Sequence, residues 1–194
     1  MTYTPSNPCP EVVSKINALA ANKLSDLPPP PKVDCLHYVH DGELKLWEGE
    51  TVDVLSCVCV NDSGADERVN LGRIHYIDTA TAIQLVDSAY KAFDLGRGKW
   101  PHATVAERLA ATENFLSEMV KVREEVVVSL MWEIGKTRKD SESEFDRTVE
   151  YIQETLKAVR TRNNTDASFL TAGGHVAQVR RSPLGVVLSM GPFN

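Results

Sequence analysis

The sequence lacks any apolar run near the ~20 residues needed to span a bilayer. Its start, Met1-Thr-Tyr-Thr-Pro5, lacks the charged-then-apolar order of a signal peptide. No membrane partner is expected, and the cytosol is the expected location. Basic clusters are also missing: 21 Lys and Arg stand against 27 Asp and Glu, a net charge of −6. Mild acidity without a basic stripe argues against a nucleic-acid partner and against anionic membrane surfaces. Cysteine is scarce, with four residues at Cys9, Cys35, Cys57 and Cys59. Their spacing fits no zinc pattern and no His pair stands at ligand distance, so no metal is expected. Cys57 and Cys59 lie in Val54-Leu-Ser-Cys-Val-Cys-Val60, where a strand would point both to one face. Buried thiols of a cytosolic protein are the expected state. A reactive pair is the alternative, but no base or cation stands beside them in sequence. Gly96-Arg-Gly98 is no phosphate loop, because it has neither a preceding strand nor the further glycine.

What is present is ordinary for a globular chain: 42% apolar and 25% charged residues over a length of 194. That length suits one domain or part of a larger one. Seven of the ten prolines fall in the first 31 residues. The run Pro28-Pro-Pro-Pro31 favours extended polyproline and cannot continue a helix. Residues 1–35 therefore read as a Pro-rich arm, with one short helix over Glu11–Leu24. The arm is a spacer or a ligand for a partner domain. Residues 36–194 carry the domain pattern.

Within that region Asp41-Gly42 is a hairpin turn between His37–Val39 and Leu44–Trp47. Val52–Val60 is a second strand, and Asn61–Glu67 is a polar loop. Asp78-Thr79 opens a helix with Ala82, Leu85, Val86, Ala89, Ala92 and Phe93 on one stripe, closed by Gly96 and Gly98. Thr104-Val-Ala-Glu107 is a capping box for a helix with Leu109, Leu116 and Met119 on its inner face. Arg123–Trp132 continues the helical pattern and Gly135 ends it. Ser141-Glu-Ser-Glu144 is a second capping box. It opens a helix with Phe145, Val149, Ile152, Leu156 and Val159 inward. These stripes read as core faces. After Arg160 the polar stretch Thr161–Asp166 reads as an exit from the helix. Val176–Arg181 alternates as an edge strand, limited by Pro183. Leu184-Gly-Val-Val-Leu-Ser-Met190 is a nearly continuous apolar run, the pattern of a strand buried on both faces of a parallel sheet. Such a strand needs neighbours and a crossover helix. The chain accordingly reads as a fragment, or as a half that needs a partner.

Arg181-Ser-Pro-Leu-Gly-Val-Val-Leu-Ser-Met-Gly-Pro-Phe-Asn194 resembles the aldehyde dehydrogenase superfamily. Glu133-Ile-Gly-Lys136 resembles the family's Glu-x-Gly-Lys at a helix end. Glu144 falls where the family carries a Glu in the following helix, and Arg108 with its following leucine also fits. The resemblance covers Gly42 to Asn194. It implies an α/β fold: a helical layer, an oligomerisation strand, and the first strand of a doubly wound parallel sheet. A helical adaptor unrelated to the family is disfavoured by the two separate matches.

The resemblance implies an enzyme that oxidises an aldehyde to a carboxylic acid with NAD or NADP. In the family a cysteine thiolate attacks the carbonyl, and a glutamate-activated water hydrolyses the resulting thioester. The tetrahedral oxyanion needs donors placed in advance. The family's asparagine at this motif supplies one, and that position is Asn194. Met190, Gly191, Pro192, Phe193 and Asn194 match the segment that lines the cofactor. Their plain alternative is a strand end and turn. Ser143-Glu-Phe-Asp-Arg-Thr148 resembles a segment of the non-phosphorylating, NADP-dependent glyceraldehyde-3-phosphate dehydrogenases. There the matching arginine, here Arg147, binds the substrate phosphate. A forked, permanently charged guanidinium suits that ligand. The alternative is a solvated Arg147 paired with Glu144 or Glu150. Asp146 departs from the apolar residue of that subfamily. None of the four cysteines matches the nucleophile, and Glu133 and Glu144 do not match the base. The complete enzyme is expected to be a homo-oligomer, a dimer or tetramer, acting on an aldehyde substrate. This chain alone is expected to be inactive. A non-catalytic short form that binds and modulates a full-length relative is the second reading.

Overall fold

The computed structural model describes residues 27–60, 67–166, 168–179 and 181–191. The expected helix Glu11–Leu24 lies outside the described residues, as do Pro192, Phe193 and Asn194. The prolines Pro28–Pro31 are described and lie outside any helix, as their missing N–H groups and fixed φ require.

Strands β1 (His37–His40) and β2 (Glu43–Leu46) pair antiparallel around Asp41-Gly42. Both turn residues take positive φ, 51° and 79°, the backbone of the tight turn that Asp-Gly favours. Tyr38 meets Trp47 edge to face, with ring centroids 6.0 Å apart. Strand β3 (Thr51–Val60) pairs antiparallel with β4 (Glu67–His75). Glu67 therefore belongs to a strand, where sequence reading placed it in a loop. Register shifts between Val54 and Leu55, and between Leu55 and Cys59, bend this ribbon. The bulge leaves carbonyls off the ladder, and Arg68 satisfies two of them. Its Nε donates to the Ser56 carbonyl at 2.5 Å and its Nη2 to that of Leu55 at 2.8 Å. The wholly buried Ser56 hydroxyl donates to the Val58 carbonyl at 2.6 Å and accepts from the Val69 amide at 2.9 Å.

The chain before β1 runs beside β4 and is joined to it by an isolated parallel bridge between Cys35 and Ile74. Val33 N–H donates to the Leu71 carbonyl and Cys35 N–H to that of Arg73, at 2.8 and 2.7 Å. Gly72, at φ +138°, permits this approach, since a Cβ there would collide with the Val33 carbonyl. Asp34 locks the crossing by a two-point ion pair with Arg73.

Helix α1 (Thr79–Phe93) starts at Asp78, whose carboxylate accepts from the Thr81 amide at 2.7 Å. Its end differs from expectation: Asp94 and Leu95, not the glycines, take the first left-handed positions, and a short 3-10 turn follows. A single turn, α2 (Lys99–His102), leads to α3 (Val105–Lys121). Thr104 and Glu107 form the expected capping box there. Val122 separates α3 from α4 (Arg123–Glu133), and Gly135, at φ 78°, follows α4 as expected.

Helix α5 (Arg138–Asp166) corrects two expectations. It starts one turn before Ser141, where Thr137 and Asp140 cap it reciprocally. Ser141 is instead buried inside it, donating to the Thr137 carbonyl at 3.0 Å. It also continues through the polar Thr161–Asp166. There Thr161 and Thr165 donate their hydroxyls to carbonyls four residues back, the pattern that such residues adopt inside a helix. A hairpin of β5 (Leu170–Ala172) and β6 (His175–Ala177) turns at Gly173-Gly174. Sequence reading anticipated only the second strand, and at greater length.

The core lies around α4. Val127, Met131 and Phe145 of α5 form its buried centre, backed by Leu27, Met119, Val126 and Val149. α4 packs against α5 on one side and β3 on the other. Buried Trp132 donates its ring N–H to the Pro28 carbonyl at 3.0 Å and so ties the proline run to the core. The stripe of α1 is not a core face: none of its residues is buried, and Val86 is 60% exposed. Nor are Cys57 and Cys59 buried, as expected for them; both are exposed, because Ser56 and not either thiol takes the inward position.

Gly72→Ala adds strain at positive φ to a backbone collision. It should lower stability by about 2–4 kcal/mol. Thermal unfolding checks this, and an unchanged midpoint would show that segment 33–35 does not dock on β4.

Candidate functional site

The segment expected to carry the chemistry follows Arg181. Leu184–Met190 is not a strand here, contrary to the sequence reading: no residue of it is hydrogen-bonded into a ladder among the described residues. The physical cause is the lack of a neighbour. A parallel strand is held only by hydrogen bonds to strands beside it, and the three described sheets are separate two-stranded pairs. The segment is largely uncovered, with Leu184 98% and Met190 81% exposed. A Cβ placed on Gly191 would meet no atom within 4 Å. Met190 and Gly191 thus form no enclosed cradle among the described residues. Asn194, Pro192 and Phe193 lie outside the described residues.

The start of the segment does make contact. Pro183, Gly185, Val186 and Val187 form one wall of an open cleft of about 770 Å³, with Phe93 and Trp100 among the residues opposite. Arg108 on α3 and Arg181 line it as well. Arg108 is half-buried and donates to the Ala103 carbonyl at 2.7 Å, which fixes the α2–α3 corner. Arg181 is anchored through Nε to the Asp166 carboxylate at 2.7 Å.

Arg147 stands elsewhere, exposed on α5. It lies outside the walls of that cleft and of the apolar groove between α3 and α5. The expected alternative partners are not used: among the described residues Arg147 forms no ion pair with Glu144 or Glu150. Glu144 is taken by Lys136, across the turn between α4 and α5. This gives the Glu-x-Gly-Lys motif a structural role: Gly135 turns the chain and Lys136 ties the turn to the next helix. Asp146 has a different task from its neighbour. Both its carboxylate oxygens accept from Arg123, each at 2.8 Å, clamping α4 to α5. The hydrogen bonds from Arg123 hold the Asp146 carboxyl below its usual range. Hydrogen bonding to Arg73 does the same for Asp34, and the capping bonds at Thr104 for Glu107.

Among the described residues no group of three potential ligands could hold a metal ion. No described helix is long and apolar enough to cross a membrane.

Comparison with known proteins now assigns the class. The profile of the aldehyde dehydrogenase family matches residues 60–194. The chain is 33% identical over 111 residues to malonate-semialdehyde dehydrogenase 2 of Shouchella clausii, covering 57% of this chain and 22% of that protein. It is 28% identical over 109 residues to N-succinylglutamate 5-semialdehyde dehydrogenase of Escherichia coli, covering 56% and 22%. Among solved structures, a 1-pyrroline-5-carboxylate dehydrogenase variant from Thermus thermophilus superposes with a TM-score of 0.59 at 14% identity, over 90% of this chain and 32% of that one. Proline utilization A of Bdellovibrio bacteriovorus superposes at 0.56 and 18% identity, over 85% and 15%. The architecture is therefore α/β, part of the aldehyde dehydrogenase fold. The chain belongs to the aldehyde dehydrogenase family, and its matched region spans about a fifth of the length of these curated relatives.

The depressed carboxyls set the acid response. A group whose folded pKa is lowered stabilises the fold above its unfolded value near ~4, and that contribution is lost as pH falls through the folded pKa. Their contribution should thus be constant from neutral pH to about 4 and decline below it. Asp146→Asn should make that decline shallower. Acid titration followed by circular dichroism reads both, and an identical acid limb in the variant would remove Asp146 from the account.

Proposed function

We propose that the protein to which this chain contributes oxidises an aldehyde to a carboxylic acid with NAD or NADP. The observation that carries this is the family match, which spans residues 60–194 and so includes the Arg181–Asn194 segment. Residues 36–194 supply the N-terminal part of the dehydrogenase domain, preceded by the Pro-rich stretch 1–35, whose described residues dock on Trp132 and β4.

In this reading Asn194 stands where its side-chain amide donates to the oxyanion of the tetrahedral intermediate. Met190, Gly191, Pro192 and Phe193 lie along the cofactor once the rest of the domain encloses them. The uncovered state of Leu184–Met190 supports this: the run has the composition of a buried strand and awaits neighbours. Arg147 holds the phosphate of glyceraldehyde 3-phosphate as the candidate substrate. Its freedom from the neighbouring carboxylates supports that role, since Lys136 and Arg123 occupy Glu144 and Asp146. The exposed β5–β6 hairpin, with open edges on both sides, supports assembly as a dimer or tetramer.

Three measurements test the proposal. The 194-residue chain alone should give no aldehyde-dependent NAD(P)H, because its cysteines do not match the nucleophile. In the active protein, Asn194→Ala should lower kcat by roughly 10²–10³-fold with little change in KM. Arg147→Gln should raise KM for glyceraldehyde 3-phosphate about tenfold or more and spare an unphosphorylated aldehyde. Equal effects on both aldehydes would sink the phosphate role; turnover by the pure short chain would sink the division of labour.

A further inference from the structure

A second feature of the molecule shares Arg181 and Val186 with the start of the catalytic segment but uses neither Arg147 nor residues 190–194. Three arginines from distant parts of the chain line one cleft of about 350 Å³: Arg108 of α3, Arg162 near the end of α5, and Arg181 after β6. One carboxylate, Asp166, stands among them, and it is already bonded to Arg181 Nε. Positive charge is thus concentrated at one place on a chain whose net charge is −6. The Arg162 side chain forms no hydrogen bond or ion pair among the described residues. Arg108 spends one nitrogen on the Ala103 carbonyl. The cluster therefore keeps most of its donors unspent, and guanidinium forks match the tetrahedral oxygens of a phosphate.

This cleft is continuous with the larger one of about 770 Å³, since Val105, Arg108 and Arg181 line both. The larger cleft is apolar where it leaves the arginines, with Phe93, Trp100, Pro101 and Val186 in its walls. A charged head beside an apolar trough sets the chemistry of the ligand: an anion with an apolar or aromatic tail. Arg147 takes no part in either cleft, so this feature and the proposed substrate contact stand or fall separately.

We propose that the Arg108–Arg162–Arg181 cleft binds the phosphate of a small organic monophosphate whose apolar part lies along Phe93 and Trp100. Because the arginines are partly exposed, affinity is modest and falls with salt.

The test is calorimetric titration of the full 194-residue chain at constant ionic strength with phenyl phosphate, inorganic phosphate and benzyl alcohol. Phenyl phosphate should bind saturably and at least about fivefold more tightly than inorganic phosphate, because burial of the ring adds to the shared head-group contacts. Benzyl alcohol should not bind measurably. Arg162→Gln should weaken both phosphates about fivefold without changing the unfolding midpoint, since Arg162 supports no other described contact. Trp100→Ala should remove the advantage of the phenyl group and leave inorganic phosphate unchanged. No saturable binding of either phosphate through the millimolar range, or equal affinities in Arg162→Gln, would overturn the proposal. Equal binding of the two phosphates would overturn the assignment of the apolar trough.

Discussion

Val127 is wholly buried on α4, the helix that packs against both α5 and β3, and it forms the core with Met131 and Phe145. Burying such a side chain contributes about 1.5–3 kcal/mol, and Met131 and Phe145 add comparable amounts beside it. Several neighbouring elements are joined around this centre by polar ties. Trp132 reaches the Pro28 carbonyl, Arg123 clamps Asp146, and Lys136 closes the turn on Glu144. Arg160 of α5 pairs with Glu113 of α3 and holds the third helix alongside. The helical layer is therefore built from one small apolar knot with ion pairs around its rim.

That economy explains what is left uncovered. Among the described residues the apolar stripe of α1 is only partly covered, and Leu184–Met190 has the composition of an interior strand and no neighbour to pair with. Both follow from one rule: an apolar face or a lone strand gains stability only when another element comes to meet it. Membership of the aldehyde dehydrogenase family supplies the context in which those faces have a use. The proposed catalytic segment is the continuation of the uncovered run. Its chemistry depends on being enclosed, since an oxyanion donor is worth far more in a site that excludes water.

Local signals in the sequence were read well where one or two residues decide the backbone. Asp41-Gly42 demands a tight turn, Thr104 and Glu107 complete a cap, and Gly135 takes the left-handed position after α4. Reading failed where tertiary partners decide. β4 was missed because Arg68, Asn70 and Gly72 interrupt its alternation; each serves the bulge or the docking of segment 33–35, as the Arg68 bonds and the Asn70-to-Gly72 contact show. The start of α5 was misplaced because Ser141 looks like a cap but is buried within the helix, while Thr137 does the capping. The family segment at Arg181–Asn194 was legible as a motif. The arginine cleft was not, because residues 108, 162 and 181 come together only in the fold.

The central claim is that this chain folds its own helical layer around α4 and holds the strand-like run before the catalytic segment open. Amide hydrogen exchange on the 194-residue protein reads that division directly. Slow exchange is expected across Val126–Trp132 and the paired residues of β3 and β4, with Leu184–Gly191 exchanging near the rate of an unstructured chain. Protection of Leu184–Met190 equal to that of α4 would contradict the account, because it would mean that the run is already paired and buried.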